Sequence, residues 1–182
     1  MVARDRLLEL LRERSFARKR VVLASGKESD FFIDCKQTVL SAEGHALVGE
    51  LMFVAASKIV GLAAVAGVEL GGCPLASAVA LVSFQRGAPL DAVYVRKEAK
   101  DHGSKRLLEG DARLAPDARV VILEDVVTTG GSTLKCADKL RAAGFEVGHV
   151  IALVDRQEGG REAIEAAGLS LTALYTRTDF MA

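Results

Sequence analysis

The chain has 182 residues, half of them apolar, and its 24 basic side chains equal its 24 acidic ones in number. That length fits one domain with a substantial hydrophobic core, and the zero net charge argues against a sequence-independent nucleic-acid binder, which needs a basic excess. No stretch approaches the length of a membrane span, and the charged segment 1–14 is unlike a signal peptide, so we expect a cytoplasmic protein.

The first third of the chain predicts a helix, a pair of strands and a second helix. Leucines alternate with charged residues up to Arg14, which is typical of a short amphipathic helix. Residues 21–34 predict two short strands about a turn, and the pattern of Phe31, Phe32 and Ile33 alone favours an ordinary core strand. Segment 42–59 has apolar residues at helical spacing.

The next third predicts a strand, a glycine-rich turn, a helix and another strand. The small apolar residues 62–66 predict a buried strand, and residues 67–74 form the turn that follows it. Pro74 fits the first position of a helix running to Gln85, and 91–95 predicts the next strand. Gly71 and Gly72 allow backbone amides to face an anion, although this signal is weak alone because many α/β proteins place glycine at such turns.

The densest charge run in the chain follows the strand 91–95. Residues 96–106 contain five basic side chains and one histidine. Such a run is commonly a solvated face, but this one begins where a strand should end. Lysines and Arg96 at that edge would suit a multiply charged anion.

A second turn, after residues 120–123, has the most informative chemistry. The four apolar residues, three of them β-branched, predict a central strand of a parallel sheet, and a helix is predicted from Ser132 to residue 143. The turn between them therefore carries Glu124, Asp125, two threonines and two glycines at the carboxyl edge, where open α/β folds bind ligands. Gly130, Gly131 and the helix amides predict a phosphate cradle.

The cradle differs from the common nucleotide-binding loops. Neither the P-loop spacing with its lysine nor G-x-G-x-x-G is present. A carboxylate beside a phosphate is repulsive unless it binds another part of the ligand, such as a hydroxyl or a hard cation. Glu124 and Asp125 therefore indicate a phosphorylated sugar, whereas the simpler alternative is a strand end followed by an ordinary turn.

The remaining segments complete an α/β domain. Residues 146–154 predict a strand that ends before Arg156, residues 160–167 a helix and 169–175 the last strand. Alternating strands and helices predict a central, mainly parallel sheet flanked by helices in a single domain, 1–182. The widely spaced Cys35, Cys73 and Cys136 favour buried thiols over a disulfide or zinc site.

The segment Glu124–Ser132 with its preceding strand resembles the phosphoribosyl-pyrophosphate (PRPP) motif of type I phosphoribosyltransferases. The resemblance implies that fold, with residues 128–132 on the 5′-phosphate, the two acids on the ribose hydroxyls and the 67–74 turn under the pyrophosphate. The PRPP-binding residues implied are Lys27, Leu70, Gly71, Arg96, Lys97, Lys100, His102, Glu124, Asp125, Val126, Val127, Thr128, Thr129, Gly130, Gly131 and Ser132.

Two further segments resemble orotate phosphoribosyltransferases within that group. They are Ser-Gly-Lys-x-Ser-x-Phe-Phe-Ile-Asp at 25–34 and Arg-Lys-x-x-Lys-x-His-Gly at 96–103. The first resembles the hood, which spans about residues 15–40 plus the C-terminal segment, and the second resembles a mobile loop, 96–110, that closes over PRPP in the partner subunit of a homodimer.

The resemblance implies the reaction of orotate with PRPP to give orotidine 5′-monophosphate and pyrophosphate, a step of de novo UMP biosynthesis, with Mg²⁺ held mainly by PRPP and Asp125 as a possible ligand. Catalytic residues implied are Lys97, Lys100, His102 and Asp125, and orotate-binding residues implied are Phe32, Ile33, Thr128 and Arg156. No nucleic acid or membrane partner is expected.

Two positions depart from the family pattern, and two alternative functions stay open. Ala24 stands where many members carry a PRPP-contacting lysine, a role that Lys27 could take, and Gly71 stands where some carry a lysine. The alternatives are a phosphoribosyltransferase for another base and a non-catalytic PRPP-binding regulator. The hood and the loop lysines favour the orotate enzyme over both.

Overall fold

The computed structural model describes residues 2–22, 28–98 and 106–181. The helices are α1 (Ala3–Arg14), α2 (Lys36–Val39), α3 (Ala42–Ala56), α4 (Gly72–Gln85), α5 (Gly131–Ala142), α6 (Gly160–Ala166) and α7 (Arg177–Met181). The strands are β1 (Phe16–Val22), β2 (Glu28–Ile33), β3 (Leu62–Val68), β4 (Asp91–Val95), β5 (Leu108–Glu109), β6 (Arg119–Val127), β7 (Glu146–Asp155) and β8 (Ser170–Thr176). None of the helices in these ranges is long and apolar enough to cross a membrane.

Six strands form the main sheet in the order β5-β4-β3-β6-β7-β8. All neighbouring pairs are parallel except β4 and β5, so the predicted mainly parallel sheet is confirmed. Strand β6 lies between β3 and β7, which also confirms the central position predicted for it. The two-residue β5 was not predicted because it is too short to give a periodic signal.

Both faces of the sheet are covered by helices. Val121 and Leu123 of β6 pack in one core cluster with residues of α1, α3 and α4, whereas Val120 and Ile122 pack in another with residues of α5 and α6. All four side chains are at most 1% exposed. Burial on both faces is the reason that β6 is a continuous apolar run rather than an alternating one.

Strands β1 and β2 form a separate antiparallel pair within the segment expected to form the hood, and this pair is called the hood below. Its first strand begins at Phe16, five residues earlier than predicted, because the charged stretch after Phe16 hides the strand pattern. The ring of Phe31 lies 5.1 Å from that of Phe16 and 5.7 Å from that of Phe180 in α7. The C-terminal helix therefore packs against the hood.

Two predicted boundaries at the carboxyl edge were wrong. Strand β6 continues to Val127, so Glu124 and Asp125 lie in the strand and not in the turn. Helix α4 begins at Gly72, so Pro74 is its third residue, still within the first turn where the missing N–H costs no hydrogen bond. The three cysteines are buried free thiols, as predicted.

Candidate active site

Glu124 and Asp125 point to opposite faces of the sheet. Successive side chains of a strand alternate between faces, and the contacts of the two carboxylates follow this rule. Glu124 meets Thr133 of α5, whereas Asp125 meets Gly71 at the beginning of α4. The two acids are adjacent in sequence, but their side chains thus lie on opposite faces of the sheet at the same edge.

Glu124 is a buried carboxylate with two hydroxyl donors. Its side chain is 5% exposed, and its Oε2 accepts hydrogen bonds from Thr133 Oγ1 at 2.9 Å and Ser132 Oγ at 3.2 Å. Burial, and next the neighbouring charge of Asp125, raise the pKa of Glu124 to about 7, while the two hydroxyls oppose the rise. The Ser132 hydroxyl, which was expected to bind the phosphate, therefore donates to Glu124 in this structure.

Asp125 lies between the two glycine-rich turns. Its Oδ1 accepts a hydrogen bond from the Val126 N–H at 2.9 Å, and its Oδ2 would lie 2.2 Å from a Cβ built on Gly71. Burial raises the pKa of Asp125, and the Val126 N–H and the Lys36 ammonium oppose this rise. Lys36 is itself paired with Asp34 at 2.6 Å.

The 67–74 turn lies directly against β6. A Cβ on Gly67 would meet the carbonyl oxygen of Gly72 at 2.1 Å, and a Cβ on Gly72 would meet that of Leu123 at 2.7 Å. The peptide bond between Glu69 and Leu70 is cis, and the Leu70 side chain is 71% exposed. Both glycines are thus needed for the close approach of backbone to backbone.

The predicted phosphate cradle lies at the N-terminus of α5. Gly130 precedes the helix with φ of 80°, a left-handed conformation that glycine adopts at no steric cost. Gly131, by contrast, has no neighbour closer than 4.0 Å to a built Cβ, so no contact among the described residues requires glycine at this position. Val127 is 1% exposed and can offer only its backbone, while Thr129 is exposed.

Arg96 and Lys97 follow the end of β4, and they line a cavity of about 350 Å³ together with Ser132 and Lys139 of α5. The Arg96 N–H donates to the Leu107 carbonyl at 2.8 Å, and the Arg96 Nε lies 3.1 Å from Glu109 Oε1. Lys27, Lys100 and His102, expected in PRPP binding, lie outside the described residues.

Arg156 joins the carboxyl edge of β7 to the hood. Its side chain is 8% exposed, and its Nη2 donates to the Phe31 carbonyl at 2.8 Å and to Glu158 Oε1 at 3.0 Å. Of the hood residues expected at orotate, Ile33 is 9% exposed and packs in the core, whereas Phe32 is half-buried with Lys19 Nζ 4.0 Å from its ring centre. The structure therefore brings Arg156 to the hood through the backbone of Phe31.

Comparison with known proteins agrees with this geometry. Residues 48–167 match the family model for the phosphoribosyl transferase domain. The chain is 70% identical over 178 residues to an orotate phosphoribosyltransferase of Sorangium cellulosum (strain So ce56), covering 98% of this chain and 93% of that protein. The chain belongs to the orotate phosphoribosyltransferase family.

Other members of the orotate phosphoribosyltransferase family are similar over their full length. One from Bradyrhizobium sp. (strain ORS 278) is 47% identical, with 98% of this chain and 97% of that protein covered. The crystal structure of the Mycobacterium tuberculosis H37Rv enzyme with Fe(III) dicitrate has a TM-score of 0.84 at 37% identity, and its complex with PRPP has a TM-score of 0.80 at 34% identity. Each covers 99% of both chains.

Three contacts of this orotate phosphoribosyltransferase domain were missed by sequence reasoning. Thr133 donates to Glu124, Lys36 lies near Asp125, and Lys139 of α5 reaches the backbone of Arg96 and Lys97. The fully buried Thr133 could have been noticed as a polar residue in the first turn of α5. The two lysines carry no local signal, because their partners are remote in sequence.

Proposed function

We propose that this chain transfers the phosphoribosyl group of PRPP to orotate, giving orotidine 5′-monophosphate and pyrophosphate. The observation that carries the proposal is the contact of Asp125 with Gly71, because it joins the cradle strand to the second anion-binding turn at one sheet edge. Relatives at 70% and 47% identity bear the name orotate phosphoribosyltransferase, and a Mycobacterium tuberculosis relative was crystallised with PRPP.

The ribose 5-phosphate end of PRPP would lie on the β6–α5 turn. Backbone amides of 128–132 and the positive end of the α5 dipole favour the phosphate. Glu124 and Asp125 would accept hydrogen bonds from the ribose hydroxyls, and bound hydroxyls would favour the ionised form of Glu124. The pyrophosphate would then extend toward Gly71 and the basic pair Arg96 and Lys97.

Bond cleavage needs charge stabilisation rather than a nucleophilic side chain. The C1′–O bond breaks through an oxocarbenium-like state, and its electron pair leaves with pyrophosphate, which takes a proton from Lys100 or His102. Orotate N1 then bonds to C1′, and its proton passes to water. The carboxylate of Asp125 favours the developing positive charge on the ribose, while Lys97 and Lys100 favour the departing anion.

The site fits a magnesium ion that arrives with PRPP. Among the described residues, no cluster of three or more histidine, cysteine or acidic side chains could hold a metal. Magnesium commonly binds through one or two carboxylates together with substrate phosphates. Asp125 is the carboxylate placed to contribute, and the ion would neutralise charge on the leaving pyrophosphate.

Arg156 and the hood would frame orotate. A buried guanidinium suits a planar carboxylate, which it can bind through two parallel hydrogen bonds. The Arg156 guanidinium already contacts the Phe31 carbonyl, so the pyrimidine ring would lie against Phe32 and the backbone of β2, with Thr128 nearby.

The active form would be a homodimer that shares the loop 96–110 between subunits. An apolar surface, defined by Leu40, Leu70, Leu81, Phe84 and Tyr94, includes large side chains that are 36% to 75% exposed. Leu40, Leu70 and Tyr94 line one pocket with Ser77 of α4, and Leu81 and Phe84 continue the same helical face. This surface adjoins the 67–74 turn, so a second copy seated there would lie beside the proposed pyrophosphate site, as sharing of the loop requires.

Purified protein tests the function directly. With PRPP and Mg²⁺, orotate should be consumed and pyrophosphate released, and Lys100→Ala should greatly reduce turnover while leaving the circular dichroism spectrum unchanged. Turnover of uracil or a purine with no turnover of orotate would overturn the assignment of orotate as the substrate. Binding of PRPP without transfer to any base would favour the regulator.

A further inference from the structure

The backbone of Lys97 is held from two sides by oppositely charged side chains. Its N–H donates to Glu69 Oε1 at 2.6 Å, and its carbonyl accepts from Lys139 Nζ at 2.7 Å. The same Nζ also donates to the carbonyl of Arg96 at 2.7 Å. Hydrogen bonds with one charged partner are about twice as strong as neutral ones. The Arg96–Lys97 backbone is therefore fixed more firmly than an ordinary strand end.

The two side chains come from the two anion-binding elements. Glu69 lies in the 67–74 turn, and its own N–H donates to the Val95 carbonyl at 2.9 Å. Lys139 lies two turns along α5, the helix whose N-terminus forms the cradle. Contacts of Glu69 and Lys139 thus connect the turn, the cradle helix and the beginning of the basic segment into one unit.

The Lys139 side chain is directed toward the backbone of Arg96 and Lys97 rather than into water. This side chain is half-buried, and its ammonium reaches across the end of β4 to two backbone carbonyl oxygens. A lysine used only for solubility would extend its ammonium into water. The cost of ordering this long side chain is offset by two charge-assisted hydrogen bonds.

We propose that Lys139 and Glu69 are positioning residues, which hold the Arg96–Lys97 backbone so that the Lys97 ammonium meets the pyrophosphate of PRPP. The proposal rests on the proposed function, in which Lys97 stabilises the leaving group. Neither side chain needs to touch PRPP. Their effect on the reaction passes through the orientation of Lys97, and a small misplacement of a charge aimed at a leaving group is costly.

The test compares Lys139→Met with Arg141→Met. Arg141 is a matched control because it lies on the same helix and also donates to a backbone carbonyl, that of Val147, at the other end of the sheet. We expect Lys139→Met to lower kcat/KM for PRPP by about 10- to 100-fold. The KM for orotate should change by less than about twofold, and Arg141→Met should leave both values near the wild type.

A double-mutant cycle separates positioning from general destabilisation. If Lys139 acts through Lys97, then Lys139→Met should have little further effect on kcat/KM in a Lys97→Ala background. Lys139→Arg should recover part of the lost activity, and Glu69→Gln should reduce kcat/KM in the same direction as Lys139→Met. Equal losses in Lys139→Met and Arg141→Met, or additive losses in the cycle, would overturn the proposal.

Amide hydrogen exchange gives a readout that does not need turnover. In the protein without PRPP, Lys139→Met should speed exchange in the peptide that contains Arg96 and Lys97, whereas Arg141→Met should not. Unchanged exchange in that peptide would overturn the positioning role. If Lys139→Met speeds exchange but the wild-type protein does not turn over orotate, the positioning role stands and the proposed function is wrong.

Discussion

A side-chain carbon built on Gly71 would lie 2.2 Å from Oδ2 of Asp125 and 2.7 Å from its Oδ1. The absence of a side chain at residue 71 is therefore what allows this carboxylate to lie between the 67–74 turn and the β6–α5 turn. Any larger side chain at residue 71 would require the Asp125 carboxylate to move.

Replacing Gly71 with alanine should impair PRPP binding more than folding. The new methyl group would displace the Asp125 carboxylate, so we expect the KM for PRPP to rise by about tenfold or more. Steady-state kinetics with PRPP as the varied substrate measures the change. Gly148→Ala is the control because a Cβ there meets nothing within 4 Å, and equal KM values for the two variants would contradict the prediction.

Glu124 should make the free protein less stable as the pH rises through its titration range. Its pKa is raised from 4.5 in the unfolded chain to about 7 in the folded one, so between these values the unfolded chain is ionised while the folded one keeps its proton. Unfolding then releases a proton, and the free energy of unfolding falls with increasing pH, by up to about 3 kcal/mol across the window.

Urea unfolding between pH 4.5 and pH 8 measures this effect without PRPP. The Glu124→Gln variant should lack this part of the fall with pH, whereas a variant at the exposed Glu162, Glu162→Gln, should follow the wild type. Parallel pH profiles for wild type and Glu124→Gln would show that the folded-state pKa of Glu124 is not raised.

Arg156→Lys should weaken the binding of orotate and leave the binding of PRPP largely unaffected. Lysine keeps the charge but loses the planar fork that would bind a carboxylate and that contacts Phe31 and Glu158. We expect the KM for orotate to rise by about tenfold or more, with the KM for PRPP within about twofold. Arg161→Lys is the control, because Arg161 forms an ion pair with Asp155. An equal rise in the KM for orotate in this control would show that Arg156 does not recognise orotate.

The apolar surface on α4 should hold two copies of the chain together. Phe84 is 75% exposed, so Phe84→Asp would place a charge in the interface and should give monomers in analytical ultracentrifugation. Val60→Asp, at a residue that is 83% exposed outside this surface, should leave the oligomeric state unchanged. A wild-type protein that sediments as a monomer would contradict the dimer.

Shared sites make a separate prediction about mixed dimers. Lys100→Ala and Asp125→Asn should each be inactive, and a mixture of the two after subunit exchange should recover roughly a quarter of the wild-type activity if each site takes its loop from the other subunit. No recovery in a mixture that is shown to contain heterodimers would mean that each site is built from one chain.

Local patterns in the sequence were sufficient to predict the fold class and the positions of the two turns. The apolar run 120–123 indicated a strand buried on both faces, and the glycine-rich segment after it indicated the N-terminus of a helix. These features depend on side-chain periodicity and on backbone conformations within a few residues, so they can be read without knowledge of the rest of the chain.

Only the tertiary structure decided which side chains support the site. The contact between Arg156 and the Phe31 carbonyl joins residues 125 positions apart, and that between Lys139 and the Arg96 carbonyl joins residues 43 apart. Such contacts depend on which strands are neighbours in the sheet. No local sequence pattern indicates that order. The adjacent acids Glu124 and Asp125 lie on opposite faces because β6 extends through both of them and successive residues of a strand alternate between faces.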